Sequence, residues 1–396
     1  MSRRKRDLKR VIVFLIAAIF VAAGILVSIL VQKNQPEIVS DSDSIALQET
    51  QADAVSEAEE KAIKLREKYG KNTVKIIETK DNITLDFVGD VSLADNWYIA
   101  PKYDSRGGIS GILGDSMLEE MKSATVMVAN SEFTVSNRGT KMSGKTYTFR
   151  AKQERLKIYD EMGVDLVSLA NNHVYDFGKD AFMDMLDSFE EYEIPHVGAG
   201  RNLDEAKTPF FFIINGKSYA FFGTTRAEKN ILTPGATKNS EGVFRCYDPT
   251  EAINLIKELH ENKDVDYIIP MVHFGRENSH ELEDVQVSTA KKFIDAGADI
   301  IIGHHAHVLQ GFEFYKDKLI VYNLGNFLFN EASVDTMLFQ LQMDNSGKMS
   351  YKVFPALQQN EKTSLVDGAK KSQIIQDLNS WSVNVKIDST GKIEKK

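Results

Sequence analysis

Three of the eight histidines in this chain, His304, His305 and His307, fall within four positions of the stretch GADIIIGHHAHVLQ at 297–310. They follow an apolar run of the kind that forms a buried strand and hands over to polar residues at its carboxyl end. The same pattern recurs. ITLDFVGD ends on Asp90, VMVANSEF carries Asn130 and Glu132, VDLVSLANNH ends on Asn171, Asn172 and His173, and DYIIPMVHFG delivers His273. Carboxylate, carboxamide and imidazole are the donors that hold Zn²⁺, Mn²⁺ or Fe at hydrolytic centres, where one carboxylate can bridge two ions. Taken singly, each residue has a plainer role: a hydrogen-bonded strand-end histidine, an Asn-Asn turn, a surface glutamate, an aspartate capping a helix. Five consecutive strand ends with the same chemistry point instead to one shared site, because ligands of α/β sheets gather outside the carboxyl ends of the strands. An extended backbone at His305-x-His307 puts both rings on one side and turns His304 away, toward outer contacts or substrate.

The elements that must position these residues begin at Ile83. Apolar strands alternate with amphipathic helical stretches such as AKQERLKIYDEMG and AFMDMLDSFEEYE, which argues an α/β fold with a sheet covered on both faces. FFFIINGKSYAFFGT reads as a hairpin turning at Asn215-Gly216, and FEFYKDKLIVYNLGNF as a second antiparallel pair, so the sheet is expected to be mixed. Pro270 inside a central strand predicts a bulge or a shortened strand there. Beyond Leu357 the pattern weakens to a helix near Gln373–Trp381 and a hairpin, an extension (358–396) without an assigned role.

The amino terminus has a different composition. Residues 11–31, VIVFLIAAIFVAAGILVSILV, carry no charge, and at about 1.5 Å per residue they match a bilayer core of roughly 30 Å. Residues 1–10 hold six bases and one acid, which places this tail in the cytoplasm and the main domain outside a bacterial cell membrane, on one anchoring helix. A cleaved signal peptide is the competing reading, disfavoured by the length of the run and the lack of a clean cleavage site. Residues 32–81 read as an acidic stalk with a helix near 53–69 stopped by Gly70. The net charge of −9 despite that basic tail excludes a nucleic-acid partner. The lone Cys246 forms no internal disulfide and reads as a small buried hydrophobe.

With these residues in place, GDV at 89–91, ANSE at 129–132, LANNHVYDFG at 169–178, HFGRE at 273–277, GHHAHVLQG at 303–311 and YNLGNFLF at 322–329 together resemble the CapA (PgsA) family of poly-γ-glutamate capsule synthesis proteins. The resemblance covers roughly 83–355. It implies a four-layer metallophosphatase-like (calcineurin-like) sandwich over 82–357, two mixed sheets between helices. It also implies a centre for one or two divalent ions (Mn, Zn, Fe or Mg) built from Asp90, Asn130 or Glu132, Asn172, His273, His305 and His307. His173 then stabilises the transition state or protonates a leaving group, Asp176 orients its ring, His304 assists, and Asn171, Arg276 and Glu277 contact substrate. Phosphatase relatives carry Asp-x-His on the first strand and Gly-Asp on the second, where this chain has Asp90-Val91-Ser92 and Asn130-Ser131-Glu132.

The expected role is biosynthesis, export or surface attachment of poly-γ-glutamate or a related anionic polymer, beside membrane-embedded synthase subunits. Two forms of that role stand open: a metal-dependent hydrolase or transferase of phosphoesterase type, and a non-catalytic binding or scaffold subunit. The imidazole cluster favours chemistry; the missing first-strand histidine favours the scaffold. A purely structural metal is the weaker third reading, since closed structural sites use cysteine. Arg138, Lys145, Arg150 and Arg276, in or beside the motif loops, are the candidates to meet an anionic ligand.

Overall fold

The two sides of the strand Ile83–Val91 pack into different cores, and the layering of the molecule follows from that. In the computed structural model, which describes residues 57–396 except 345, Leu85 and Phe87 enter a core shared with Phe212, Phe221, Ile302 and Phe339. Val88 and Val91 face another, filled by Met117 and Met121 of the helix Asp115–Ser123, Tyr159 of Lys157–Met162, and Phe182 and Phe189 of Gly178–Glu191. A third core joins Phe222, Ile268 and Ile301 to Ala62 and Leu65 of the helix 57–69, Ile256 of Thr250–Glu261 and Phe293 of Asp284–Ala296. The order is therefore helices, sheet, sheet, helices. Each fully buried Phe or Leu between the layers contributes about 1.5–3 kcal/mol.

Both large sheets are mixed, as expected, and two short two-stranded pairs accompany them. One has seven strands in the order Val74–Ile77, Phe210–Ile214, Lys217–Thr225, Tyr267–His273, Ile300–His304, Lys318–Val321, Phe312–Tyr315. The other has ten. Its spine runs from Val385–Ile387 through Lys392–Lys395, Met349–Gln359, Val334–Met343, Ile83–Val91, Val126–Ser131 and Leu166–Ser168 to His196–Val197, with Asn326–Leu328 beside Ile83–Val91 and Lys362–Leu365 beside Met349–Gln359. The hairpin at Asn215-Gly216 forms with φ of 49° and 77°, the left-handed pair a two-residue turn needs. Phe312–Tyr315 and Lys318–Val321 make the second antiparallel pair. Pro270 stays in a continuous strand, in register with Phe222, and the pairing with Ile300–His304 begins only at Met271, past the missing N–H.

Two expected boundaries do not hold. The stretch read as stalk is folded from residue 57 on: Ala58, Ala62 and Leu65 are buried, Lys61 Nζ pairs with Asp266 Oδ2 at 2.8 Å, and Val74–Ile77 is an edge strand on Phe210–Ile214. The extension after 357 is likewise built in, because the helix Gly368–Trp381 sends Ile374, Ile375 and Leu378 into the central core and Val385–Ile387 pairs with Lys392–Lys395. The basic tail, the apolar run 11–31 and the stalk up to residue 56 lie outside the described residues. Among the described residues no helix is long and apolar enough to cross a membrane. Cys246 is buried, and burial pushes its thiol up to about 11, as suits an inert hydrophobe.

Candidate metal centre

Strand register brings the chemistry-bearing ends together. In the ten-stranded sheet Asp90 lies across from Asn130, and Asn130 from Ser168 just before the loop carrying Asn171 to His173. In the seven-stranded sheet Thr225 is level with His273, and His273 with His304. Glycine lets the connecting loop close on the site: a Cβ on Gly89 would lie 1.8 Å from the Gly325 carbonyl, to which the Asp90 N–H donates at 2.9 Å.

The ten-stranded sheet supplies a closed amide and carboxylate network. Asn171 Nδ2 donates to the Ser131 carbonyl (2.8 Å) and to Asn130 Oδ1 (3.1 Å), while Asn171 Oδ1 accepts from the His173 N–H at 3.0 Å. Those fixed partners turn the Asn130 amide nitrogen inward, where it donates to Asp90 Oδ1 at 2.8 Å and Glu132 Oε2 at 3.1 Å. An amide nitrogen with its protons is no metal donor. Of the pair Asn130 or Glu132, the acid is thus the one with an oxygen free to meet a cation, and Asn130 braces it. His173 Nδ1 meets Asp176 Oδ2 at 2.8 Å, and the buried Lys145 holds Asp176 Oδ1 at 2.7 Å, Glu228 at 2.9 Å and the Asn172 carbonyl.

The seven-stranded sheet supplies imidazoles. His273 Nε2 lies 2.8 Å from Asn172 Oδ1, and Nδ1 faces Asn130 Nδ2 at 3.4 Å. His305 and His307 do not continue the strand. They follow its end at His304 with φ of 96° and 59°, and it is this left-handed turn, not an extended segment, that brings their rings to 6.0 Å centroid separation. His307 Nδ1 contacts Asn326 Oδ1 at 2.8 Å and Asp90 Oδ2 at 3.3 Å. His304, expected to help with substrate, is instead buried between the sheets with Nε2 3.3 Å from the Val88 carbonyl.

These surroundings split the ionisations. Burial, reinforced by Asp90, raises the Glu132 carboxyl well above its usual range. Asp90 is lowered even though burial opposes it, because His307 and then His304 lie close, and His307 is raised against burial by Asp90. Burial and the neighbouring His307 push His305 down to about 3, and burial with the other histidines drives His273 well below its usual value. His273 and His305 are thereby kept neutral, the form in which an imidazole binds a divalent cation.

The fit is visible in orphaned atoms. Glu132 Oε1 is buried without a hydrogen-bond partner, 3.5 Å from His273 Nε2, 3.9 Å from His307 Nε2 and 4.0 Å from His173 Nε2; His305 Nδ1 is likewise unpartnered. Three groups each place one ligand atom per residue within 4.8 Å of the others: Glu132, His273 and His305; Asp90, Glu132 and His307; and Glu277, His305 and His307. Asn172 Oδ1 adjoins the first through His273.

The sequence profile of the family described as bacterial capsule synthesis protein PGA_cap matches residues 84–331, a span that contains every residue of this centre. The chain belongs to this family. It is 32% identical to the capsule biosynthesis protein CapA of Bacillus anthracis over 243 residues, 59% of this chain and 58% of that protein. To the PGA biosynthesis protein CapA of Bacillus subtilis it is 28% identical over 338 residues, 80% of this chain and 85% of that one. A probable polyglutamine synthesis accessory protein of Mycobacterium tuberculosis is 25% identical over 213 residues, 52% and 56% of the two chains. The chain thus spans little more than half the length of the first and third relatives.

Within this capsule-family site, several expected contacts fall elsewhere. Asn171 is buried and braces Asn130 instead of lining a substrate surface. Arg276 is exposed and turns to Glu283, 3.7 Å away. Arg138 pairs with Asp184, and Arg150 lies 3.6 Å over the Phe177 ring and donates to the Gly139 carbonyl. Lys145 is the buried partner of Asp176. Three contributors lie outside the expected set: Asn326, which orients His307, and Glu228 and Thr233 around Lys145. Asn326 lies inside the YNLGNFLF motif but opens a strand instead of ending one, and nothing in the pattern at 226–235 marks Glu228.

Proposed function

We propose that this protein is a membrane-anchored, extracytoplasmic member of the capsule synthesis family that acts in making, exporting or attaching poly-γ-glutamate or a related anionic polymer. Its domain is of metallophosphatase-like type and works as a metal-dependent hydrolase or transferase, holding one or two divalent ions on Asp90, Glu132, Asn172, His273, His305 and His307. One observation carries the reading: the buried Glu132 Oε1 has no partner, although three imidazole nitrogens lie within 4.0 Å of it. Leaving such a group unpaired costs about 1–3 kcal/mol or more, which a cation offsets. Family membership and the relatives' names support the polymer role. The uncharged run 11–31 behind a basic tail supports the anchor, and synthase subunits in the same membrane are the expected partners.

When bound, a divalent ion polarises a carbonyl or phosphoryl oxygen and lowers the pKa of attached water. The chain's own residues do the rest. Asp176 holds His173 by Nδ1 and leaves Nε2 on the Glu132 side, placed to pass a proton to a leaving group. Lys145 fixes both Asp176 and the backbone of Asn172, so the acid and a metal donor keep one geometry. Asn130 aims Asp90 and Glu132 by donating to both.

A binding subunit without catalysis is the second reading. It is favoured by Ser92, buried with an unpartnered Oγ two residues after Asp90, and by Arg138, Lys145 and Arg150 being engaged internally. The deciding experiment uses the full-length chain purified in mild detergent, with metal content by mass spectrometry on wild type and His305→Ala/His307→Ala, then phosphodiester and γ-glutamyl amide hydrolysis on the same samples. Stoichiometric metal lost in the double variant together with turnover is the expected result. Metal without turnover leaves the binding subunit, and a wild type that stays metal-free after resupply removes the centre.

A further inference from the structure

The two deeper donor groups of the centre are built almost wholly from buried side chains, whereas the third brings in Glu277, an exposed carboxylate with a ligand oxygen within 4.8 Å of both His305 and His307. Its backbone is held in place. The Phe274 N–H donates to the His304 carbonyl at 3.0 Å and the Asn278 N–H to the Ala306 carbonyl at 2.8 Å, so 274–278 is clamped along the histidine turn at both ends. Gly275 at φ +98° and Asn278 at +59° make the bend that this requires. Beyond it, Gln310 Nε2 donates to the Ser279 carbonyl at 2.9 Å and Gln286 Nε2 to Gln310 Oε1 at 2.8 Å, tying the loop to the helix Asp284–Ala296. The neighbouring Arg276 points to Glu283, away from the centre. Within this group His305 is buried and its Nδ1 has no partner, a second and independent mark of a missing ligand.

We infer that Glu277 is an exchangeable metal ligand that closes the solvent side of the centre, and not a substrate-binding residue. This rests on the metal centre proposed above. The ion it helps hold is a divalent cation tolerant of mixed carboxylate and imidazole donors, such as Mn²⁺ or Zn²⁺. Glu277 is the donor an incoming anionic oxygen displaces most easily. It can return to water, whereas displacing Glu132 or His305 would strand a buried polar group.

The test is direct binding with the full-length protein in detergent, stripped with chelator and titrated with Mn²⁺, free Mn²⁺ being read from its aqueous EPR signal; Zn²⁺ is titrated in parallel with a chromophoric indicator. Glu277→Gln is expected to weaken binding by at least about tenfold, the lower bound seen for loss of even an outer-sphere partner. Glu281→Gln, an exposed acid of the same loop, should stay within about twofold, and the melting temperatures of both apo variants should match wild type. Wild-type affinity in Glu277→Gln, or equal weakening in both variants, overturns the assignment while leaving the centre standing. A wild type that binds neither ion removes the centre itself and the role of Glu277 with it.

Discussion

The two sheets contribute unlike halves to one centre. The ten-stranded sheet gives Asp90, Asn130 and Glu132 on ladder-bonded backbone, with Asn171, His173 and Asp176 locked behind them. The seven-stranded sheet gives His273 at a strand end, but His305 and His307 on a turn of left-handed backbone, with an unpartnered nitrogen. The acidic half is therefore fixed by hydrogen bonds that exist without any ion, and the imidazole half is held in a conformation that L-residues adopt at a cost. One side is preorganised by hydrogen bonds, the other by a strained turn that its surroundings hold in place.

The sharpest way to break this contrast is at Lys145. Its side chain is almost fully buried between Asp176 and Glu228, and replacing it by Met takes the ammonium partner from a fully buried carboxylate and a half-buried one. Because Asp176 keeps its bonds to His173 and the Phe149 N–H, Lys145→Met should destabilise the apo protein by about 3 kcal/mol, the lower end for a broken buried pair, measured by urea unfolding, and should broaden the His173 resonances in NMR. An acidic half that is not prebuilt would show a loss under about 1 kcal/mol, the level of an exposed pair.

Much of this was legible before the fold was known, for a physical reason: parallel strands bring their carboxyl ends to one edge, so Asp90, Glu132, His173, His273, His305 and His307 could be collected from five apolar runs. His304 shows the limit. Strand parity puts it on the same face as Ile300 and Ile302, both in the inter-sheet core, so it belonged inside rather than toward substrate. The left-handed turn at 305–307 leaves no mark in residue type, since no glycine stands there. The helix 57–69 and residues 358–396 were missed as parts of the fold because each adds short edge strands or a small apolar face to a core made elsewhere. Lys145 was expected to meet an anionic ligand, and its internal role was hidden because its partners, at 172, 176, 228 and 233, are distant in sequence.

A second prediction isolates what the imidazole half does for an acid. Asp86 and Asp90 lie four residues apart on one strand, both inaccessible. Asp90 is held low by His307, while burial pushes Asp86 up to about 7, with only Gln340 Nε2 (3.2 Å) as a donor and Oδ1 unpartnered. The folded pKa exceeds the unfolded value near 3.8, so between about pH 4 and 7 the native state binds the extra proton. Stability therefore falls as pH rises through that window, and the loss is complete above about 7. Asp86→Asn should remove this slope and stabilise the protein at pH 8 by on the order of 2 kcal/mol, with little effect at pH 4. Thermal melts across that range would show it; a difference independent of pH would mean that Asp86 stays charged.

The smallest effect tests the turn itself. At φ +96° His305 occupies a conformation that glycine takes freely and alanine does not. Both His305→Ala and His305→Gly delete the imidazole, so both should lose the ion, but the glycine variant should be the more stable of the two by about 1 kcal/mol in the apo state. Adding Mn²⁺ should then raise the wild-type melting temperature with a logarithmic dependence on concentration and leave both variants where they were. If alanine and glycine melt together, the turn carries no strain and the imidazole half is as relaxed as the acidic one. If glycine is the more stable, the cost of the turn is retained because a histidine with an open nitrogen is needed at that place, which ties the backbone conformation to the ion it serves.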